Sequence, residues 1–329
     1  MSIGEVGVIG GGAWGTALAQ VAASAGKPAL LWAREPEVVE AVNAGHENNL
    51  FLPGVKLAPE LKATAALDDL RRCDALLVVT PAQHMRAVLA QLPGLAVPLI
   101  LCAKGIEEAT TKLMHDVARE EQPAASIAVL SGPTFAHEVA AGLPAAVTLA
   151  IADRAVGNAI RARLARPSFR QYLSDDVIGA EIGGAVKNVL AIACGVVEGR
   201  RLGQNARAAL ISRGFAEMTR FGLAKGARAE TLAGLSGLGD LVLTCSSENS
   251  RNFSLGKGLG EGGSAAELLA DRRTVAEGAH TAPVLKRAAR EAGVDMPIVD
   301  AVCDLLAGDV SVEEVVGRLL ARPLRSEGV

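Results

Sequence analysis

The sequence has few aromatic residues, few cysteines and no excess of charge of either sign. Aromatic residues make up 3% of the 329 positions and the formal net charge is −3, so the chain lacks the stacking and basic surfaces that nucleic acids require. The five cysteines are scattered without a Cys-x-x-Cys pair, and no His, Asp and Glu cluster has metal-ligand spacing. We therefore expect free thiols, no nucleic-acid partner and no bound metal.

Long hydrophobic runs are also scarce. The first ten residues lack the basic start and apolar stretch of a secretory signal, and no later apolar run approaches the about 18 residues needed to cross a bilayer. We therefore expect a cytoplasmic protein without stable membrane insertion. Half of the residues are apolar, and 329 residues are many for one hydrophobic core, which favours two domains.

Short β-type runs alternate with amphipathic helical stretches as far as about residue 175. The runs are VGVIG, ALLWA, ALLVVT, PLILCA, IAVLSG and AAVTLAI. After Asp176 they almost vanish and a helical pattern dominates. We therefore predict an α/β domain at residues 1–176, with a doubly wound, mainly parallel sheet, and an all-α domain at residues 177–329. The Gly-rich stretch LGKGLGEGGSAAE, which starts at Leu255, is predicted to be a loop.

A glycine pattern follows the first predicted strand. VGVIGGGAWGTALAQ places Gly10, Gly12 and Gly15 in G-x-G-x-x-G spacing before a predicted helix, with Trp14 beside them. Backbone N–H groups and the helix N-terminus then face a pyrophosphate, so a Rossmann-type dinucleotide site is predicted. Arg34 follows the second strand, where an acidic residue normally binds the ribose of NAD. It favours NADP(H), whereas two nearby glutamates keep NAD(H) open.

Polar residues follow three further predicted strands. Thr80 follows ALLVV, Lys104 follows PLILCA, and Ser131, Gly132 and Thr134 follow IAVL. In open α/β sheets, ligands lie beyond the carboxyl ends of the strands. A lysine delivered from a buried strand to this edge favours a ligand-binding role for Lys104.

One lysine interrupts a run of small and apolar residues, IGGAVKNVLAIACG at 182–195. In a helix, one face would carry Gly183, Gly184, Lys187, Asn188, Ala191, Cys194 and Gly195. Two interpretations stand side by side. Lys187 could extend its amine to solvent from a packed helix, or it could be catalytic, with the small residues leaving room for cofactor and substrate.

A second polar cluster lies in GLSGLGDLVLTCSSENSRNF. Its members are Asp240, Thr244, Ser250, Arg251 and Asn252. The guanidinium fork of Arg251 suits phosphate oxygens, and its two neighbours add neutral hydrogen-bonding groups. Asp240 could orient a lysine or cap a helix. Cys245 could be a thiol nucleophile, although a buried structural cysteine is commoner.

Eight segments resemble, in order and spacing, the bacterial NAD(P)-dependent glycerol-3-phosphate dehydrogenase family. They are GGAWGTALA, NNLFLPG, KGIE, SGPTFAHEV, GGAVKNVLAIACG, SRGFAEM, GLSGLGDLVLTCSSENSRN and VAEG, and they span nearly the whole chain. The resemblance implies reversible hydride transfer between sn-glycerol 3-phosphate and NAD(P)+, which gives dihydroxyacetone phosphate and NAD(P)H. It also implies a role in glycerophospholipid synthesis, and apolar helices in the second domain favour a homodimer.

The resemblance implies a role for individual residues. The catalytic group comprises Lys187, Lys104, Asn188, Asp240 and Thr244. Substrate contacts fall on Lys104, Gly132, Thr134, Lys187, Asp240, Ser250, Arg251 and Asn252. Cofactor contacts fall on Gly10, Gly12, Ala13, Trp14, Gly15, Arg34, Lys104, Ala136, Arg251, Val275 and Glu277. At Ala13 the family often has serine, so one side-chain hydrogen bond to the cofactor phosphates is expected to be absent.

Two other functions remain open on sequence grounds. One is a related two-domain dehydrogenase acting on a 3-hydroxy acid or a sugar nucleotide, with Cys245 chemically active in the latter. The other is a non-catalytic NADP(H)-sensing protein. Retention of Lys104, Lys187 and Arg251 together argues against a sensor, because a sensor needs no phosphate-binding group beside a proton donor.

Overall fold

The computed structural model describes residues 2–270 and 276–323, so the predicted cofactor contact at Val275 lies outside the described residues. Two compact units are present. Unit 1 contains the chain as far as Lys104 together with Lys112–Ala180, and unit 2 contains Gly105–Thr111 and the chain from Glu181 onward. The domain boundary between residues 176 and 177 stays a prediction.

Unit 1 holds all the strands of the described residues. The strands are β1 (Val6–Ile9), β2 (Ala29–Trp32), β3 (Leu61–Thr64), β4 (Ala75–Val78), β5 (Leu99–Leu101), β6 (Ile127–Ser131), β7 (Ala145–Ile151) and β8 (Phe169–Ser174). The α-helices are α1 (Ala13–Ala23), α2 (Pro36–Glu40), α3 (Met85–Leu89), α4 (Met114–Glu121), α5 (Ala136–Ala140) and α6 (Arg154–Leu164).

The strands form one sheet in the order β3-β2-β1-β4-β5-β6-β7-β8. Every neighbouring pair is parallel except β6 and β7, which are antiparallel. The prediction of a mainly parallel, doubly wound sheet is confirmed, and each of the six predicted runs contains a strand. The edge strands β3 and β8 were not predicted.

Both faces of the sheet are buried, which is why its central strands read as unbroken apolar runs. Val8 and Leu77 pack with α1 in one core cluster. Ile9, Val78 and Leu101 belong to a second cluster on the other face. The strand order reverses between β1 and β4, so the carboxyl ends of these two strands form the switch point where ligands bind in such sheets.

The regular secondary structure of unit 2 from Glu181 onward is helical in the described residues, as predicted. It contains most of α7 (Val177–Gly199), then α8 (Gln204–Ala224), α9 (Ala229–Leu232), α10 (Asp240–Cys245), α11 (Arg251–Gly260), α12 (Ala265–Leu268), α13 (Glu277–Glu291), α14 (Pro297–Ala307) and α15 (Val312–Leu320). By length and composition α7 could cross a membrane, contrary to our expectation that no apolar run approaches that length. However, 94% of its most apolar window is buried inside the protein, as in a core helix.

The small residues of α7 are packing surfaces. A Cβ atom on Gly195 would overlap the carbonyl oxygen of Phe253, and one on Gly256 would overlap that of Ile192. Helices α7 and α11 therefore touch backbone to backbone. Gly183 is similarly covered by the backbone at Ser236.

This packing corrects two expectations. The Gly-rich stretch from Leu255 continues helix α11 as far as Gly260, because its glycines allow contact with α7, and it is not a loop up to that point. The glycines at 183 and 195 face neighbouring backbone, so they do not leave the predicted room for cofactor and substrate.

Candidate active site

The glycine turn after β1 has the geometry that a dinucleotide phosphate requires. Gly10 has φ +125°, a conformation that residues with a side chain rarely adopt. A Cβ atom on Gly15 would overlap the carbonyl oxygen of Gly10, whereas one on Gly12 would meet nothing within 4 Å. No side chain of the described residues caps α1, which begins at Ala13. The first N–H groups of α1 therefore suit an anion.

Asn48 holds this turn in place and was not identified from the sequence. Its Nδ2 donates to the carbonyl oxygen of Gly11 at 2.9 Å and to Oγ1 of Thr16 at 2.8 Å. The Thr16 hydroxyl donates to the same carbonyl at 3.2 Å. Asn48 is 1% exposed. Its place in the segment NNLFLPG was the available signal, although the pattern gave no reason to choose the first asparagine.

Other groups in unit 1 also fit a nicotinamide dinucleotide. The indole Nε1 of Trp14 and the hydroxyls of Thr80 and Ser131 are buried without a hydrogen-bond partner among the described residues. Arg34 lies just after β2 with 83% of its side chain exposed, and its Nη2 is 3.2 Å from Oε1 of Glu35. A guanidinium beside a carboxylate suits either a 2′-phosphate or ribose hydroxyls. Ala136 is the first residue of α5.

Lys104 meets two of the predicted substrate-binding residues within unit 1. Its Nζ donates to the carbonyl oxygen of Gly132 at 3.4 Å, and Oγ1 of Thr134 donates to the same oxygen at 3.2 Å. Gly132 has φ +155°, and a Cβ atom there would lie 2.9 Å from Cα of Val147. Only glycine suits this place, and its carbonyl group links Lys104 to Thr134.

In unit 2, Lys187 is buried in an ion pair. Its Nζ lies 2.6 Å from Oδ1 of Asp240 and donates to Oγ1 of Thr244 at 3.0 Å. The threonine hydroxyl in turn donates to the carbonyl oxygen of Asp240 at 2.6 Å. Lys187 is 6% exposed and Asp240 is fully buried. The structure therefore rejects a lysine extended to solvent and an aspartate that caps a helix.

Local structure explains how residues 53 positions apart meet. Lys187 projects from the middle of α7, and Asp240 is the first residue of α10, directly after a π-helical turn at Leu235–Gly239. Such turns are often found at functional sites. Thr244 follows Asp240 by four residues, so both side chains lie on the same face of α10.

A second hydrogen-bonded group connects three helices of unit 2. Nδ2 of Asn252 donates to Oδ1 of Asn188 at 3.1 Å, and the N–H of Gly278 donates to Oδ1 of Asn252 at 2.9 Å. Asn188 follows Lys187 on α7, so the two hydrogen bonds fix the helix beside the lysine. Glu277, a predicted cofactor contact, is the first residue of α13 and is half-buried.

Ser250 and Arg251 form the beginning of α11. The Ser250 hydroxyl caps this helix by accepting from the N–H of Phe253 at 3.3 Å. Arg251 is exposed at the first helical position. A guanidinium beside the positive end of a helix dipole suits a phosphate group.

Cys245 does not have the properties of a nucleophile. Burial, followed by a hydrogen bond with Cys194, raises the pKa of the Cys245 thiol well above its ordinary value. A neutral, buried thiol reacts poorly, which argues against the sugar-nucleotide alternative. Among the described residues, no group of three His, Cys, Asp or Glu side chains could hold a metal ion.

Sequence profiles of one enzyme family match both parts of the chain. The profile of the NAD-dependent glycerol-3-phosphate dehydrogenase N-terminus matches residues 5–157, and that of the C-terminus matches residues 176–317. Together the two profiles cover most of the sequence.

Individual proteins are similar over the same length. The glycerol-3-phosphate dehydrogenase of Erythrobacter litoralis, named for NAD(P)+, is 66% identical over 98% of each chain. The crystal structure of the Coxiella burnetii glycerol-3-phosphate dehydrogenase is 37% identical, with a TM-score of 0.93, over 97% of this chain and 99% of that one. The Saccharomyces cerevisiae enzyme is 29% identical, with a TM-score of 0.83, over 96% and 99%.

Proposed function

Because the chain belongs to the NAD-dependent glycerol-3-phosphate dehydrogenase family, we propose that it interconverts sn-glycerol 3-phosphate and dihydroxyacetone phosphate with NAD(P)+ and NAD(P)H. The observation that carries this proposal is the buried pair of Lys187 and Asp240, which holds a proton-carrying amine beside the hydroxyl of Thr244. The comparisons favour this reaction over the 3-hydroxy-acid, sugar-nucleotide and sensing alternatives.

NAD(P)H, when bound, supplies the hydride that reduces C2 of dihydroxyacetone phosphate. Negative charge develops on the C2 oxygen during this step, and the ammonium group of Lys187 stabilises that charge and donates the proton. In the reverse direction the neutral amine accepts the proton from the C2 hydroxyl. One residue therefore acts as the acid in reduction and the base in oxidation.

The neighbours of Lys187 position its amine. Asp240 attracts the ammonium form, and Thr244 accepts one N–H while its own hydroxyl proton is held by a carbonyl oxygen. The amine is thereby confined to a small region, as proton transfer over hydrogen-bonding distance requires. Asn188 and Asn252 hold each other beside it and would present amide groups to the hydroxyls of the substrate.

Phosphate binding falls to the beginning of α11. Arg251 would pair with phosphate oxygens, and Ser250 and Asn252 would add hydrogen bonds from the same segment. Lys104, with Gly132 and Thr134, would form the remaining substrate contacts. Binding energy from the phosphate helps to fix C2 for reaction.

The cofactor is NADP(H) or NAD(H). The residues that we propose to contact it are Gly10, Gly12, Ala13, Trp14, Gly15, Arg34, Lys104, Ala136, Arg251, Val275 and Glu277. The buried, unpartnered Trp14 Nε1 and the open space at Gly12 support this assignment. We also propose that the protein is a cytoplasmic homodimer without membrane insertion. Its reaction would supply glycerol 3-phosphate for glycerophospholipid synthesis.

The reaction is tested by following nicotinamide absorbance when dihydroxyacetone phosphate is added to the protein with NADPH, and then with NADH. We expect oxidation of at least one cofactor, and no oxidation with an unphosphorylated ketone at the same concentration. Full activity in Cys245→Ser would exclude a thiol intermediate. Absence of turnover with both cofactors would contradict the proposal.

A further inference from the structure

Two buried hydroxyl groups in unit 1 have no hydrogen-bond partner among the described residues. They are Oγ1 of Thr80, which is 5% exposed, and Oγ of Ser131, which is 4% exposed. Thr148 lies opposite Ser131 on the neighbouring strand, yet the two hydroxyls form no bond. A buried hydroxyl that forms no hydrogen bond costs free energy, so a ligand that bonds to both would recover it.

The sheet register aligns the carboxyl ends of the strands β4, β5 and β6, at which the two hydroxyls lie. Val78 of β4 is aligned with Leu101 of β5, which is aligned with Val129 of β6. Thr80 and Ala103 follow two residues after these paired positions, just beyond the ends of β4 and β5, and Ser131 is the last residue of β6. With neighbouring strands about 4.8 Å apart, β4 and β6 are separated by about 10 Å.

Apolar residues close to the two hydroxyl-bearing residues belong to the same face of the sheet. Val78 and Val129 lie in one core cluster, and Ala103 packs against it. Val79 packs on the opposite face, and Thr80 follows it beyond the end of β4. The methyl group of Ala103 is the apolar surface between two polar groups, an arrangement typical of a site for a small ring with polar substituents.

This row lies on the nicotinamide side of the dinucleotide site. The glycine turn follows β1, and Arg34 follows β2 on one side of it. A dinucleotide whose adenosine lies towards β2 extends its other half across the switch point, over β4, β5 and β6. Thr80 is closer to the glycine turn in the strand order, and Ser131 is two strands further on.

We propose that Thr80 and Ser131 bind the nicotinamide half of the cofactor, with the Thr80 hydroxyl bonded to the ribose and the Ser131 hydroxyl bonded to the carboxamide. Ala103 provides the surface between them. This inference rests on the proposed function for the identity of the cofactor. It adds two residues that bind the nicotinamide half of the cofactor, whereas the glycine turn and Arg34 bind the other half.

Cofactor fragments test the proposal directly. ADP and its 2′-phosphate derivative lack both the nicotinamide and its ribose, so Thr80→Val and Ser131→Ala should leave their affinities, measured by calorimetry, unchanged. The same variants should each weaken NAD(P)H binding about tenfold, because a polar group of the ligand loses its partner. Ser126→Ala is the matched control, since Ser126 precedes the opposite end of β6 and should change neither affinity.

Thermal unfolding supplies a second measurement. Removing an unpartnered hydroxyl should leave the Tm of the cofactor-free variants unchanged or slightly higher, whereas loss of a structural hydrogen bond would lower it. Unchanged NAD(P)H affinity in both variants would overturn the proposal, as would an equal loss of ADP affinity or a lower cofactor-free Tm. If the unmodified protein binds neither NADPH nor NADH, the proposed function itself fails.

Discussion

Replacing Asp240 by Asn removes one charge from the buried pair while preserving the shape of the side chain. Lys187 is 6% exposed and Asp240 is fully buried, so little water is available to solvate the remaining ammonium group. Loss of one partner from a buried ion pair costs about 3 to 5 kcal/mol. We expect a decrease of about 3 kcal/mol in the free energy of unfolding, because Asn retains one oxygen that accepts from the amine.

The same variant should change the pH profile of the reaction. Without the carboxylate, the ammonium form that donates the proton is less favoured, so kcat for reduction of dihydroxyacetone phosphate should fall about 100-fold at neutral pH and recover partly as the pH is lowered. NADPH affinity should be unchanged. Asp309→Asn, at an exposed position, is the control. Urea unfolding and steady-state rates measure both effects, and an unchanged pH profile with near-normal kcat would refute the reasoning.

Three further predictions concern unit 2. Gly195→Ala should lower the free energy of unfolding by about 3 kcal/mol or more through overlap with the Phe253 backbone, whereas Gly317→Ala, in an exposed helical position with open space around it, should raise it by about 0.5 to 1 kcal/mol. Burial raises the pKa of Glu217 from 4.5 to about 8. Between these two pH values the folded state binds more protons than the unfolded state, so the free energy of unfolding should fall by about 1.4 kcal/mol per pH unit as the pH rises. Urea titrations of Glu217→Gln should lack this pH dependence, and a slope against pH identical to that of the unmodified protein would exclude it. Arg251→Ala should mainly raise the KM for the phosphorylated substrate in steady-state assays, and an unchanged KM would remove it from phosphate binding.

The sheet was predictable where strands are buried on both faces. Continuous apolar runs such as ALLVV at 75–79 identify such strands. The edge strand Leu61–Thr64 was missed because it has four residues, with an exposed lysine, in a stretch rich in helix-forming residues. Its extended form comes from parallel pairing with Ala29–Trp32, which local sequence does not reveal.

Site chemistry was easier to predict than site packing. Lys187 and Asp240 were a plausible pair because a buried amine needs an anion, and the ion pair bears this out. The glycines beside Lys187 were interpreted as space for ligands, yet they contact the backbone of other segments. A small side chain permits close approach either of a ligand or of another backbone segment, and only the folded structure shows which of the two occurs. Helix α11 illustrates the same limit, since tertiary packing outweighs the low helix propensity of its glycines.

The most direct measurement of the central claim is single-turnover hydride transfer by Lys187→Ala, with cofactor affinity determined on the same sample. Loss of the proton donor should lower the rate of dihydroxyacetone phosphate reduction by about 1,000-fold, while the Kd for NAD(P)H stays within about twofold of the unmodified protein. Lys225→Ala, at a half-buried lysine elsewhere in unit 2, should behave like the unmodified protein. A Lys187→Ala variant that transfers hydride at the normal rate would contradict the assignment of Lys187 as the proton-transfer group.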